Sequence, residues 1–181
     1  MGIVFLLLII FTICQRLYEL KISSRNIAYI VSKGGFVVKE VNYLFMVLLH
    51  SSWLLVLLFF AVEHFSLDFR QSLDVLEILG LVLFISGQII RIHAIKTLGY
   101  RWTTKIAISS EQFVIKKGMY KYIRHPNYVG VSFEIIGLPL VGGLLGVGII
   151  YSVLNFIILY FRIRLEEKYL DKYNYGECNN P

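Results

Sequence analysis

Charge is scarce in this chain. Only 17% of its 181 residues are charged and 57% are hydrophobic, against about 25% charged in ordinary soluble domains. So little polar surface excludes a water-soluble globular fold and points to lipid as the solvent. Cysteine is nearly missing as well: Cys14 and Cys178 lie far apart and match neither a disulfide framework nor a metal-ligand spacing. Cys178 stands fourth from the end, but Asn179, Asn180 and Pro181 follow it, and the absent aliphatic residues argue against prenylation. Internal repeats and low-complexity segments are absent too. The net charge of +6 does not signal nucleic acid, because the basic residues flank apolar runs and form no aromatic-interleaved patch.

What the chain has is long apolar runs. Those at 43–62 and 75–95 are each long enough to span, since a crossing takes about 20 mainly apolar residues. The run at 2–14, extending weakly to 20, has no basic residue before it and no small-residue cleavage site after it, so it reads as a retained helix rather than a signal peptide. A fourth run at 127–140 is short for a full crossing, and Pro139, Gly142 and Gly143 turn it into a fifth at 144–161. Backbone groups in lipid must be satisfied internally, so every span is read as a helix. The expectation is an all-α integral membrane protein of five transmembrane helices, the last two forming a hairpin.

Lys and Arg set the orientation, because basic segments stay cytoplasmic. Five lie in 15–42, seven in 96–127 and four from Arg162 onward, whereas the remaining loop has only Arg70. An N-terminus outside and a C-terminus in the cytoplasm satisfies all three basic segments, with the cell membrane as the expected location. Residues 1–95 then form a three-helix scaffold and substrate side, and 96–181 a cofactor-binding connector, hairpin and tail. The connector is too long for mere linkage, and alternating Ile106, Ile108, Phe113 and Ile115 predict an ordered, packed segment.

Polar chemistry concentrates at two places. Arg124, His125, Pro126, Asn127, Tyr128 and Gly130 open the fourth helix. Proline is preorganised for a first helical turn, whose free N–H groups suit a carboxylate or phosphate. Interfacial anchoring accounts for such residues equally well. At the end of the fifth run, Arg162 and Glu166 are four residues apart and share a helix face, with Glu167 adjacent. A plain salt bridge is the competing reading. Glu134 lies at membrane depth, where a charge is costly; it either lines an acceptor pocket or pairs with Arg91 or His93. His50 reads as an interhelical hydrogen-bonding residue, and Gly137, Gly142, Gly146 and Gly148 as sites of close helix packing.

The order of these motifs resembles that of the isoprenylcysteine carboxyl methyltransferase family. Over about 98–170 the matching residues are Leu98 to Trp102, Gln112 to Ile115, Gly118 to Tyr120, Arg124 to Tyr128, Gly130, Gly137, Glu166 and Glu167. The resemblance implies a small membrane enzyme that binds S-adenosylmethionine at its cytoplasmic face and takes a lipophilic or lipidated acceptor from the bilayer. It implies Gln112, Val114 and Ile115 beside the adenosine, and Tyr120, His125, Pro126, Asn127 and Tyr128 as the main cofactor contacts. Arg162 matches the substrate-side arginine, and Glu166 the carboxylate facing the cofactor's methionine part. Arg162 and Glu166 are thus the expected catalytic pair, with Arg162 and Glu134 toward the substrate.

That assignment agrees with the chemistry. A sulfonium amino acid carries an ammonium and a carboxylate, so its site needs an anion-binding helix opening and a nearby acid. Methyl transfer depends on positioning and water exclusion, and a guanidinium fork suits an acceptor carboxylate. A hydroxyl acceptor would need a base, for which Glu166 or Glu167 would serve. The tail after Leu170 departs from the family pattern, which leaves prenylcysteine, phospholipid and hydrophobic hydroxyl compounds all open as acceptors. Two rival readings are a nicotinamide-dependent membrane reductase of steroid-reductase type and a non-catalytic membrane scaffold.

Overall fold

The computed structural model describes residues 2–40, 42–65, 74–110, 115 and 117–177. Arg70, Gln112, Phe113, Val114 and Cys178 lie outside the described residues. The order is α1 (Gly2–Ser32), β1 (Phe36–Val37), α2 (Tyr43–Phe65), α3 (Val75–Leu98), β2 (Ala107–Ile108), α4 (Pro126–Val141) and α5 (Leu145–Glu177). Short 3-10 turns at Gly99–Arg101 and Gly118–Lys121 shape the connector.

Four helices are long and apolar enough to cross a membrane: α1, α2, α3 and α5. Their outer faces carry Leu7, Leu55 and Phe156, each more than half exposed, as lipid-facing residues are. α4, with 16 residues, spans about 24 Å at 1.5 Å per residue, less than the hydrocarbon core's roughly 30 Å. Among the described residues, four helices are therefore of membrane length, and α4 is shorter.

The first helix runs well past its apolar segment, through much of the stretch read from the sequence as a basic loop. Its buried charges are paired across helices. Glu19 is buried and pairs with Arg91 of α3, while Arg16 pairs with Glu19 at 3.3 Å and with Glu134 of α4 at 2.5 Å. Arg91 also reaches Glu134 at 2.6 Å. Of the two arrangements open for Glu134, the structure has the paired one, and the side chain is fully buried. His50 bonds the Met46 carbonyl one turn earlier in its own helix, at 2.7 Å, rather than a neighbouring helix.

α3 begins at a capping box. Asp74 accepts from the Val75 N–H at 2.7 Å, and Glu77 accepts from the Asp74 N–H at 3.1 Å. α3 and α4 then approach through glycine. A Cβ on Gly87 would lie 2.8 Å from the Gly130 carbonyl oxygen, and one on Gly137 would lie 2.6 Å from the Phe84 nitrogen. Such backbone contact is the membrane form of close helix packing. Gly142 instead makes room for the Phe5 ring, whereas Gly146 faces open space.

Between α1 and α2 the chain meets the 96–125 connector in a two-stranded antiparallel pairing, Phe36 with Ile108 and Val37 with Ala107. This small sheet is an addition to the all-helical expectation. Val38, Ile106 and Ile108 are buried there against Leu165, Tyr169 and Leu170 of α5. The alternation read at Ile106 and Ile108 thus anchors the connector to the extended end of α5.

Candidate functional site

The connector, the start of α4 and the last turns of α5 enclose a cavity of about 670 Å3. Small-molecule sites commonly measure about 300–1,000 Å3. Its wall includes Ile115, Tyr120, His125, Asn127, Tyr128, Arg162 and Glu166. Pro126 is buried at the first turn of α4 with His125 just ahead of it. Gln112 and Val114 lie outside the described residues, and Glu134 sits in the buried ion-pair cluster, outside this wall.

Proline at the first turn sets where α4 starts and so where His125 stands. The imidazole stacks on the Tyr128 ring, centroids 5.3 Å apart. Its Nδ1 is 3.9 Å from Glu166 Oε2, and its Nε2 is 3.5 Å from Glu167 Oε1. The second approach lacks hydrogen-bond geometry, so Nε2 is buried without a partner. The helix opening and the acidic pair, 38 or more residues apart in sequence, thus come together on one side of the bundle.

Tyr128 links the two halves. Its hydroxyl donates to Glu166 Oε2 at 2.5 Å and accepts from Arg162 Nε at 2.9 Å. Arg162 is 4% exposed. Its Nη2 donates to the Thr104 carbonyl at 2.6 Å, its Nη1 faces Met46 Sδ at 3.0 Å, and the same nitrogen lies 3.3 Å from Glu40 Oε2. Arg162 therefore holds the connector, α2 and α4 to α5. Burial and the nearby Glu166 push the Tyr120 phenol above its ordinary range, so it stays protonated and a hydrogen-bond donor.

Glu40 and Met46 were not legible as site residues. Glu40 is a single acid beside Lys39, with no spacing that ties it to α5; only the fold makes it the partner of Arg162. Glu167 was read as a neighbour of Glu166, and it also reaches Arg124, at 3.4 Å.

Three cavity-wall groups are buried with no hydrogen-bond partner among the described residues: Trp102 Nε1, Asn127 Oδ1 and His125 Nε2. Orphaned polar atoms are costly unless a ligand or water completes them. Two carboxylates and a helix opening stand beside them, so the wall offers both donors and acceptors to a polar guest. A second, mainly apolar cavity of about 490 Å3 lies between α4 and α5, lined by Val129, Phe156, Leu159 and Ile163 among others. Arg124, His125, Tyr128 and Glu167 border both cavities.

The description of the isoprenylcysteine carboxyl methyltransferase family matches residues 79–172. An uncharacterized protein of Bacillus subtilis, YpbQ, is 32% identical over 170 residues, 94% of this chain and 98% of its own length. An uncharacterized protein of Haemophilus influenzae is 28% identical over 84% of this chain and 86% of its own. The protein-S-isoprenylcysteine O-methyltransferase of Saccharomyces cerevisiae is 35% identical over 103 residues, 51% of this chain but only 40% of the yeast protein. No solved structure matches the chain at a significant level. The family match covers α3 to α5 and with them the cavity wall at His125, Tyr128, Arg162 and Glu166, and neither the reductase nor the scaffold reading is favoured. By a sequence match that spans the helices building its site, the chain belongs to the isoprenylcysteine carboxyl methyltransferase family.

Proposed function

We propose that this membrane methyltransferase uses S-adenosylmethionine to O-methylate a lipophilic acceptor at the cytoplasmic face of the bilayer, on a carboxyl or hydroxyl oxygen. The observation that carries the reading is the convergence of His125, Tyr128, Arg162 and Glu166 on one cavity with partnerless polar atoms in its wall. The bound cofactor supplies an electrophilic methyl group on a sulfonium sulfur.

The chain's own residues do the rest. Glu166 and the opening of α4 at Pro126 complement an ammonium and a carboxylate. Asn127 Oδ1, Trp102 Nε1 and His125 Nε2 gain the partners they lack, Tyr120 remains a donor, and Gln112, Val114 and Ile115 complete the adenosine side. Arg162 and Tyr128 orient the acceptor oxygen, so that catalysis rests on alignment and water exclusion. The apolar cavity between α4 and α5 suits the acceptor's hydrocarbon part. Glu134 acts on the substrate side only by holding Arg91 and Arg16, and so α1 and α3, in place.

The reading includes an N-terminus outside, a cytoplasmic C-terminus, α4 as a fifth and short passage, and residence in the cell membrane. Residues 1–95 then form the scaffold and acceptor side, and Glu40 and Met46 at Arg162 support that division. The test uses the purified full chain in nanodiscs. S-adenosylhomocysteine should bind and NADPH should not, Glu166→Ala should abolish the first, and methyl-labelled cofactor should label one lipid in an extract. Absence of S-adenosylhomocysteine binding by the folded wild type would sink the proposal.

A further inference from the structure

Glu40 lies between β1 and α2, in a connector whose neighbouring charges are basic. Its side chain is 3% exposed, accepts the Ile106 N–H, and faces Arg162 Nη1 at 3.3 Å. A carboxylate so buried is tolerated only when paired. Arg162 is equally committed, for each of its three nitrogens has a hydrogen-bond partner: Tyr128, Met46 or Thr104. The cation on the cavity wall is therefore already neutralised and held.

This bears on what Arg162 can receive. A free carboxylate arriving there meets an arginine whose charge is spent on Glu40, with Glu166 joined to the same Tyr128 hydroxyl. It gains little attraction and incurs like-charge repulsion in a partly desolvated place. An uncharged hydroxyl meets no such penalty and needs only a single hydrogen bond. Resting on the reading of Arg162 as the acceptor-side residue, we propose that Glu40 is a specificity-determining positioning residue: by pairing with Arg162 it directs the site toward lipophilic acceptors whose methylated oxygen is an uncharged hydroxyl rather than a free carboxylate. In the transfer, a C–O bond forms as the donor's S–C bond breaks. The O–H electron pair stays on oxygen, and the proton leaves to the Glu166–Glu167 pair.

The experiment compares two amphiphiles of equal chain length, dodecyl sulfonate and dodecanol. Their binding to the labelled full chain in zwitterionic nanodiscs is measured by thermophoresis as a mole fraction of lipid. Glu40→Gln keeps an acceptor for the Ile106 N–H but removes the counter-charge. It should tighten sulfonate binding about tenfold while changing dodecanol binding less than about twofold, as unmasking one partly buried cation predicts. Glu40→Asp, which draws the carboxylate back from Arg162, should shift the sulfonate the same way by a smaller factor, and it serves where Gln does not fold. Unchanged sulfonate binding in both variants, with S-adenosylhomocysteine still bound, overturns the proposal. Arg162→Gln separates the two ideas. If it weakens dodecanol while the Glu40 variants leave the sulfonate unmoved, only the role of Glu40 falls; if it affects neither amphiphile, the acceptor-side reading of Arg162 falls.

Discussion

Tyr128 and Arg162, on different helices and 34 residues apart, share a 2.9 Å hydrogen bond from the guanidinium Nε to the phenol oxygen. Because the same oxygen donates to Glu166 at 2.5 Å, one hydroxyl fixes the Arg162 cation relative to the Glu166 carboxylate. Tyr128→Phe removes both bonds while keeping the ring that stacks on His125. A hydrogen bond to a charged group contributes about 1.5–3 kcal/mol, so methyl transfer should fall by roughly tenfold to a hundredfold. S-adenosylhomocysteine affinity, measured by calorimetry, should fall by less. An unchanged transfer rate would show that the hydroxyl does not organise the site.

Arg162→Lys keeps the charge and loses the fork. A lysine ammonium is a point charge that cannot reproduce the planar set of contacts to Tyr128, Met46 and Thr104. Transfer should drop at least about tenfold, with the loss in acceptor KM and kcat rather than in S-adenosylhomocysteine affinity. Near wild-type transfer with intact cofactor binding would remove the orienting role.

How far the sequence revealed all this follows from the range of its signals. The spans at 43–62 and 75–95 were legible because lipid imposes length and apolarity locally, and the structure has α2 and α3 there. The hairpin was legible from Pro139, Gly142 and Gly143, the motif at His125 from its place ahead of a helix, and the pair Arg162 and Glu166 from its spacing, although α5 runs on past that pair to Glu177. The reach of α1 to Ser32 was not, because Arg16 and Glu19 look like loop charges until Arg91 and Glu134 arrive from two other helices. The packing use of Gly80, Gly87 and Gly130 escaped for a similar reason. A glycine's packing use depends on which backbone lies opposite. Glu40 belongs to the same class: its meaning is set by Arg162, 122 positions away in the numbering.

Protonation of Glu40 gives the site a pH dependence of definite sign. Burial lifts its carboxyl above the ordinary value of 4.5, against the opposing attraction of Arg162, the Ile106 N–H and Lys105, and Glu166 adds to the rise. The group is harder to ionise in the folded chain than in the unfolded one. Its contribution to stability is therefore least above the raised pKa and recovers as pH falls through it toward 4.5. Wild type should gain unfolding midpoint relative to Glu40→Gln over that fall. Protonation also releases the Arg162 charge, so dodecyl sulfonate, which does not titrate, should bind wild type more tightly at the acid end. The Glu40→Gln variant should lack this slope.

The glycine contact between α3 and α4 bears on how His125 and Tyr128 sit over α5, because α4 carries Tyr128 and His125 caps its start. A methyl group on Gly137 would lie 2.6 Å from the Phe84 nitrogen and 2.9 Å from the Gly80 carbonyl oxygen. Neither backbone atom can rotate away, so the helices must separate. Overpacking of this kind costs about 1–3 kcal/mol, and Gly137→Ala should lower the unfolding midpoint in nanodiscs and weaken S-adenosylhomocysteine binding together. Gly146→Ala is the matched control in α5, where an added Cβ meets nothing within 4 Å. Gly146 stands in the first turn of α5 with its Cβ position open, so the midpoint should hold. Equal effects of the two substitutions would mean that backbone propensity, and not the α3–α4 approach, sets the position of the site.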